Sequence, residues 1–249
     1  MILIKNKLAL AKMEQAGSFL ALIFQGLSQQ IQVGVSTLAL DAWIAQQLNI
    51  HGLVSAMKGY HGYPYVSCIS LNDEVVHALP KADKILRSGD FVKVDVCASW
   101  KGYCADMARS FCVGQVREEV SDLQKAAESS LEKGIAMMVP GKRLSEVSAA
   151  IGNEIVRCGY GIVRDFAGHG IGKHMHEDPE ILNYADSDQG PLLQVGMTFA
   201  LEPMLTMKNH EVYVTKDGWT VKTVDGSIAA HVEDTVAVTE NGPKILTRL

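Results

Sequence analysis

The chain carries no Cys-x-x-Cys pair, no block of like charge and no low-complexity tract, and the longest apolar run near its start is only Phe19 to Phe24. A bilayer span takes about 20 apolar residues, so this run cannot cross one. Glu14 and Gln15 precede it and no small-residue cleavage site follows, so it reads as one face of an amphipathic helix rather than a secretory signal. The five cysteines, Cys68, Cys97, Cys104, Cys112 and Cys158, are odd in number. They read as free thiols in a reducing compartment, not as a disulfide framework or a zinc ribbon. A net charge of −5 argues against a nucleic-acid partner while leaving room for a local basic patch. A cytoplasmic protein without membrane contact is expected.

What is present is ordinary globular material: 249 residues, 47% hydrophobic and 20% charged. A chain of this length buries a large core without staples. Apolar positions at Leu10, Met13, Phe19, Leu20, Ile23, Phe24, Leu27 and Ile31 recur at helical spacing, and Gly34 breaks the pattern. Ser36-Thr37 is placed to cap a second helix over 37–49. Val120, Leu123, Ala127, Leu131 and Ile135 predict a third, stopped at Pro140-Gly141, and a fourth runs over 144–158. Residues 59–64 read as a loop. Strand candidates are 65–71, 91–98, 103–111, 162–166, 197–205, 211–215, 219–223 and 229–239. With no linker in view, the expectation is a single α+β domain over residues 1–249, of mixed helices and largely antiparallel strands.

In the strand Phe91-Val-Lys-Val-Asp-Val-Cys-Ala98, Val92, Val94 and Val96 share one face, and Phe91, Lys93, Asp95 and Cys97 the other. A turn at 99–102 folded about the Trp100–Lys101 bond sets Asp95 opposite Asp106, within about 5 Å at Cβ. Facing carboxylates repel, so the fold needs a cation or a shared proton between them. A different hairpin register would instead leave both solvated.

Three histidines, His169, His174 and His176, fall within the Gly-rich loop 168–177. Without a preceding strand and a P-loop lysine–serine, the glycines are a weak phosphate signal. The histidine density points more strongly to metal or acid–base work. Glu202 lies in an apolar strand, held extended by Pro203, and Glu233 repeats the pattern in a strand where His231, Glu233 and Thr235 share a face. Asp234 breaks the apolar face there, and so is expected at a strand end or capping a backbone amide. Each glutamate alone reads as a strand-edge residue facing water; the set is harder to dismiss. Four carboxylates and a histidine suit Mn²⁺, Fe²⁺, Co²⁺ or Mg²⁺ better than a thiolate zinc site, and suffice for two divalent ions.

The ordered strings Tyr60-His-Gly-Tyr-Pro64, Cys68-Ile-Ser-Leu-Asn-Asp73, His77-Ala-Leu-Pro80, Val94-Asp-Val96, Gly168-His-Gly-Ile-Gly172, Leu201-Glu-Pro-Met204, Asp217-Gly-Trp-Thr-Val-Lys222 and Val232-Glu-Asp-Thr235 resemble type I methionine aminopeptidases, from about residue 4 to 247. The resemblance implies the pita-bread fold, an antiparallel sheet with flanking helices whose pseudo-twofold halves enclose a metal centre. It implies removal of the initiator methionine from nascent polypeptides. By position, Asp95, Asp106, His169, Glu202 and Glu233 match the metal ligands, with Asp106 and Glu233 bridging. His77 and His176 match the histidines at the scissile amide, and Tyr60, Tyr63, Cys68 and Trp219 the methionine pocket. Met107, Ala78 and Asp234 depart from a common Thr, Gly and His, and none is a ligand position.

The implied chemistry is two divalent ions, of Co, Mn, Fe, Zn or Ni with Fe or Mn favoured in the cell, activating a water. Glu202 serves as base, His176 steadies the carbonyl oxygen, and His77 assists the leaving amide. Norleucine should partly replace methionine in the pocket. A monomer is expected, with nascent N-termini and the ribosome as partners and no zinc-binding N-terminal extension. Two rival readings share the fold. A prolidase or aminopeptidase P relative would carry a further N-terminal domain, and a non-catalytic binding protein would have lost ligands.

Overall fold

Two helix pairs frame the molecule, and each begins and ends for local reasons. In the computed structural model, which describes residues 2–249, helix α1 spans Lys7–Gln30 and starts where the Asn6 side chain accepts a hydrogen bond from Ala9 N at 2.9 Å. It buries Met13, Leu20, Ile23, Phe24 and Leu27 along one stripe. Helix α2, Thr37–Ile50, is capped by Ser36 as its sequence suggests. After strands β1 (Val54–Ser55), β2 (Cys68–Leu71), β3 (Phe91–Trp100) and β4 (Tyr103–Cys112) comes the second pair, α3 (Glu118–Ala136) and α4 (Leu144–Arg157). Glu118 and Glu119 complement the α3 dipole, and the helix ends ahead of Pro140. Gly134 lets α4 close in: a Cβ there would lie 2.6 Å from Ile151 Cγ1.

The remaining strands are short: β5 (Gly161–Ile162), β6 (Gly168–Gly170), β7 (Glu177–Ile181), β8 (Thr198–Leu201), β9 (Met204–Thr206), β10 (Val212–Val214), β11 (Val221–Thr223), β12 (Ala229–His231), β13 (Glu233–Thr239) and β14 (Gly242–Ile245). The main sheet runs β1-β3-β4-β13-β8-β6-β7, with β2 beside β3 and β14 beside β13, and every pairing is antiparallel. Strands β12-β9-β5 form a second sheet, and β10-β11 a hairpin. Helices α1 and α2 pack on Val92, Val94 and Val96; α3 and α4 pack on Phe199, Leu201, Val236 and Val238. The sheet's inner face carries the polar residues discussed below.

Three expectations change. The β3–β4 turn pivots about Lys101–Gly102, not Trp100–Lys101, so Trp100 pairs with Tyr103, Cys97 with Asp106 and Asp95 with Ala108. Lys101 and Gly102 have φ of 48° and 78°, the paired left-handed residues of a two-residue hairpin loop. The register moves by two positions, an even number, so Asp95 and Asp106 become diagonal neighbours but stay on one face. The apolar stretches 197–205 and 229–239 are each two strands, broken at Glu202-Pro203 and at Val232. The Gly-rich stretch contains a strand, β6, wedged between β7 and β8. A Cβ at Gly168 would strike Ala200 O, and one at Gly170 would strike Asp178 O.

Candidate metal centre

The central strands bring the candidate ligands together. Strand β4 supplies Asp106, its neighbour β13 starts at Glu233, and the next strand, β8, ends one residue before Glu202. Beyond it lies β6, with His169 paired to Ala200. Continuing the register past the Leu201–Asp234 pair sets Glu202 beside Glu233. Ligand atoms of Asp106, His169 and Glu233 all lie within 4.8 Å of one another. His169 Nε2 is 3.9 Å from Asp106 Oδ2 and 3.5 Å from Glu202 Oε1. Asp95 stands outside that tightest group but in hydrogen-bonding contact with Asp106. All five residues line one cavity.

The electrostatics fit a cation. Asp106, His169 and Glu233 are buried, and burial pushes the Asp95, Glu202 and Glu233 carboxyls well above the usual range, with the neighbouring acids adding to it. Asp106 rises to about 6, burial outweighing hydrogen bonds from Cys97 and Met107 N. Glu233 Oε1 is buried without a hydrogen-bond partner. Four acids forced together with an orphaned carboxylate oxygen form a site short of positive charge. His169 is prepared for the same task. Its Nδ1 lies 3.0 Å from Gly170 O and can only donate there, so Nε2 keeps its lone pair. Burial lowers its pKa to about 3, which holds the ring neutral. The donor set of carboxylates and one neutral imidazole suits a divalent metal ion.

Backbone around the site is pinned by side chains. Thr235 Oγ1 accepts from Asp106 N at 2.8 Å and donates to Asp106 O at 2.9 Å. Asn183 Nδ2 donates to Glu202 O at 3.0 Å, and Arg109 Nη1 to Glu233 O. Asp234 lies at the start of β13, the strand end its sequence suggests, with side chains as its partners. It is fully buried and paired with Arg109 and Arg248 at 2.6 Å each, and accepts from Thr247 Oγ1. Two guanidinium groups explain how a charge is tolerated on that face.

The other candidates share the cavity. His77 sits in a left-handed conformation, φ 59°, against Phe166, with rings 5.4 Å apart. Burial lowers its pKa to about 4. Tyr60 OH lies 2.7 Å from His176 Nδ1, and the His176 ring stands 4.3 Å from that of His169. Tyr63 and Trp219 meet edge to face at 4.9 Å. Tyr63 OH donates to Ser67 O, while Asp217 accepts from Trp219 N and Thr220 N, so both rings are held. Cys68 pairs with Asp95 across the β2–β3 ladder. His174, the third histidine of its stretch, is exposed and does not line the cavity.

Residues the sequence did not single out also belong here. Met57 and Met175 line the cavity, and nothing in their local pattern marks them. His231 reaches Glu202, its Nε2 3.4 Å from Oε2. Its place on the Glu233 face at a two-residue offset was the available signal. Lys93 is buried and reaches Asn72 O at 2.8 Å, in the segment leading to His77.

Comparison with known proteins gives a consistent picture. The model of Metallopeptidase family M24 matches residues 11–240. The methionine aminopeptidase of Clostridium acetobutylicum is 42% identical over 247 residues, 99% of each chain. The crystal structure of methionine aminopeptidase from Thermotoga maritima superposes with a TM-score of 0.98 at 40% identity, covering all of both chains. Prolidase from Pyrococcus furiosus matches with a TM-score of 0.78 at 24% identity, covering 99% of this chain and 65% of that one, which shows the shared fold alone.

Proposed function

The chain belongs to metallopeptidase family M24, and from that membership we infer a divalent-metal-dependent hydrolase that removes the N-terminal methionine from polypeptides. The observation that carries this reading is the lining of one cavity. It holds the acids and a neutral imidazole together with Met57, Tyr63, Cys68, Met175 and Trp219. The first group suits metal, the second a flexible thioether that gains from sulfur–aromatic contact.

In our proposal Asp95, Asp106, His169, Glu202 and Glu233 would hold two divalent ions. Bound there, metal supplies an acidified water and a Lewis acid for the scissile carbonyl. Glu202 accepts the proton of the attacking water and passes it toward the departing amine. Because Tyr60 OH can donate to His176 Nδ1, the His176 proton is left on Nε2, where it can donate to the carbonyl oxygen as negative charge develops. His77, kept neutral by burial, hydrogen-bonds the scissile nitrogen. Tyr60, Tyr63, Cys68 and Trp219 form the methionine pocket, to which we add Met57 and Met175.

The donor set accepts several metals, and we propose iron or manganese in the cell. We further propose one domain over residues 1–249, acting as a monomer in the cytoplasm on nascent chains as they leave the ribosome. Among the described residues no helix is long and apolar enough to cross a membrane. A proline-directed peptidase would share the fold, but methionine aminopeptidases at 38–42% identity, covered almost end to end, favour methionine. The deciding experiment compares turnover of Met-Ala-Ser and X-Pro peptides by metal-stripped protein reloaded one metal at a time. Activity on X-Pro without activity on Met-Ala-Ser would overturn the reading.

A further inference from the structure

His231 is a buried histidine to which the reading above gives no task. It closes β12, pairs with Met204 in the ladder, and is 1% exposed. Its Nε2 stands 3.4 Å from Glu202 Oε2, near enough for a hydrogen bond, yet no partner satisfies it as the side chains lie. The other oxygen, Glu202 Oε1, is 3.5 Å from His169 Nε2. The carboxylate therefore lies between two imidazoles, one from β6 and one from β12. A neutral imidazole carries one protonated and one bare nitrogen. Beside a carboxylate oxygen the favoured tautomer carries its hydrogen on Nε2.

The backbone around Glu202 makes such a hold necessary. Strand β8 stops at Leu201 and β9 starts at Met204, so residue 202 has no place in either strand, and Pro203 contributes no N–H. Its carbonyl is fixed by Asn183. Nothing in the backbone fixes the rotation of its carboxylate.

We propose that His231 is a positioning residue for Glu202, donating Nε2–H to Oε2 so that Oε1 stays turned toward His169 and the metal side of the cavity. This rests on the reading of Glu202 as a metal ligand and proton acceptor. An outer partner of a metal ligand typically carries 10- to 100-fold in metal affinity or activity, roughly the scale to look for. Filling the space with an apolar side chain would leave Oε2 buried without a donor.

The test compares His231→Leu, which fills the site without donating, with His231→Gln, which keeps an N–H. Metal-stripped proteins are titrated with Mn²⁺ and Co²⁺ by calorimetry, the visible spectra of the Co²⁺ forms are recorded, and kcat and KM are measured on Met-Ala-Ser. The Leu variant should bind metal roughly 10- to 100-fold more weakly, shift the Co²⁺ bands and lose kcat with little change in KM. The Gln variant should recover most of each. If the Leu variant does not fold by circular dichroism, His231→Met takes its place under the same criteria. Wild-type metal affinity and spectrum in the apolar variant overturn the proposal. So does a Gln variant as impaired as Leu, because packing rather than donation would then be the cause. Failure of the wild-type protein itself to bind metal would sink the reading of the centre beneath it, a distinguishable result.

Discussion

The two halves of the site solve one problem by different means. Asp95 and Asp106 sit inside long strands that pair over ten positions, from Phe91–Cys112 to Trp100–Tyr103. His169, Glu202 and Glu233 sit at irregularities: a register shift follows His169, Glu202 lies in the gap between β8 and β9, and Glu233 opens β13 one residue after β12 ends. A ladder of that length holds its side chains chiefly by repetition, to which Thr235 adds two hydrogen bonds on the Asp106 backbone. A proposed ligand at a break has lost the ladder and depends on individual bonds, here Asn183 to the Glu202 carbonyl, Arg109 to the Glu233 carbonyl, and the His169 ring to Gly170 O. The hairpin half should tolerate changes around its ligands, and the broken half should not.

The largest expected effects come from the ligands, where the halves should not differ. Asp106→Asn removes a carboxylate from the centre of the proposed ligand set, and metal affinity should fall by more than about 100-fold, since losses of that order already follow from outer partners. Metal analysis after dialysis checks it. Normal metal content with normal Met-Ala-Ser cleavage would remove the centre from the account. His77→Ala should retain metal and lose kcat by about 100-fold, the usual share of a proton-handling group. Equal turnover in the two proteins would strip His77 of its role.

The contrast itself is tested one step outward. Asn183→Ala leaves the Glu202 carbonyl without its side-chain donor, and should lower metal affinity about tenfold or more. Gly102→Val distorts the hairpin turn, where φ is 78°, and should cost about 1 kcal/mol or more of stability. Its metal affinity should stay within about twofold of wild type, because the register rests on the rest of the ladder. Chemical denaturation and calorimetric titration of both variants give the comparison directly. A Gly102 variant that loses metal as readily as the Asn183 variant would erase the distinction between the halves.

The same contrast marks what the sequence could tell. Alternation in Phe91–Ala98 located β3 and put Asp95 and Asp106 on one face, because a period of two survives an even register error. The turn position did not follow, since the left-handed φ of Lys101 is decided by the twist of the flanking strands and not by lysine's own preference. The breaks at Glu202 and Val232 were hidden within continuous apolar patterns. Strand β6 was hidden by its glycines, which are there for the close approach of β7 and β8. Five ligand candidates were legible as residue types and by family resemblance. Asn183 was not, and His231 only by sharing a face with Glu233, because what each does lies in a contact between segments 19 and 29 residues apart, 183 to 202 and 202 to 231.

The smallest expected effect is one to which both halves contribute equally. In metal-free protein the site acids are held above their unfolded pKa values, Asp106 at about 6 against an ordinary 3.8, and Asp95, Glu202 and Glu233 in the same direction. These carboxyls hold protons in the folded chain that the unfolded one has lost, so they lower stability as pH rises. His77, His169, His176 and His231, held neutral by desolvation on folding, instead raise it up to about pH 6.5. The metal-free Tm should therefore decline above about pH 6.5, where the histidines no longer oppose the carboxyls. Metal reverses the slope, because binding displaces those protons and tightens as they leave. Scanning calorimetry with and without Mn²⁺ between pH 4.5 and 8 reads both slopes. Asp95→Asn in the hairpin and Glu202→Gln at the break should each flatten the metal-free slope by a similar amount. The pH effect depends on burial and mutual repulsion, which the halves share, and not on backbone support, in which they differ. A flattening confined to one half would mean that its acids alone are protonated in the folded protein, and that the charge of the site is not shared across it.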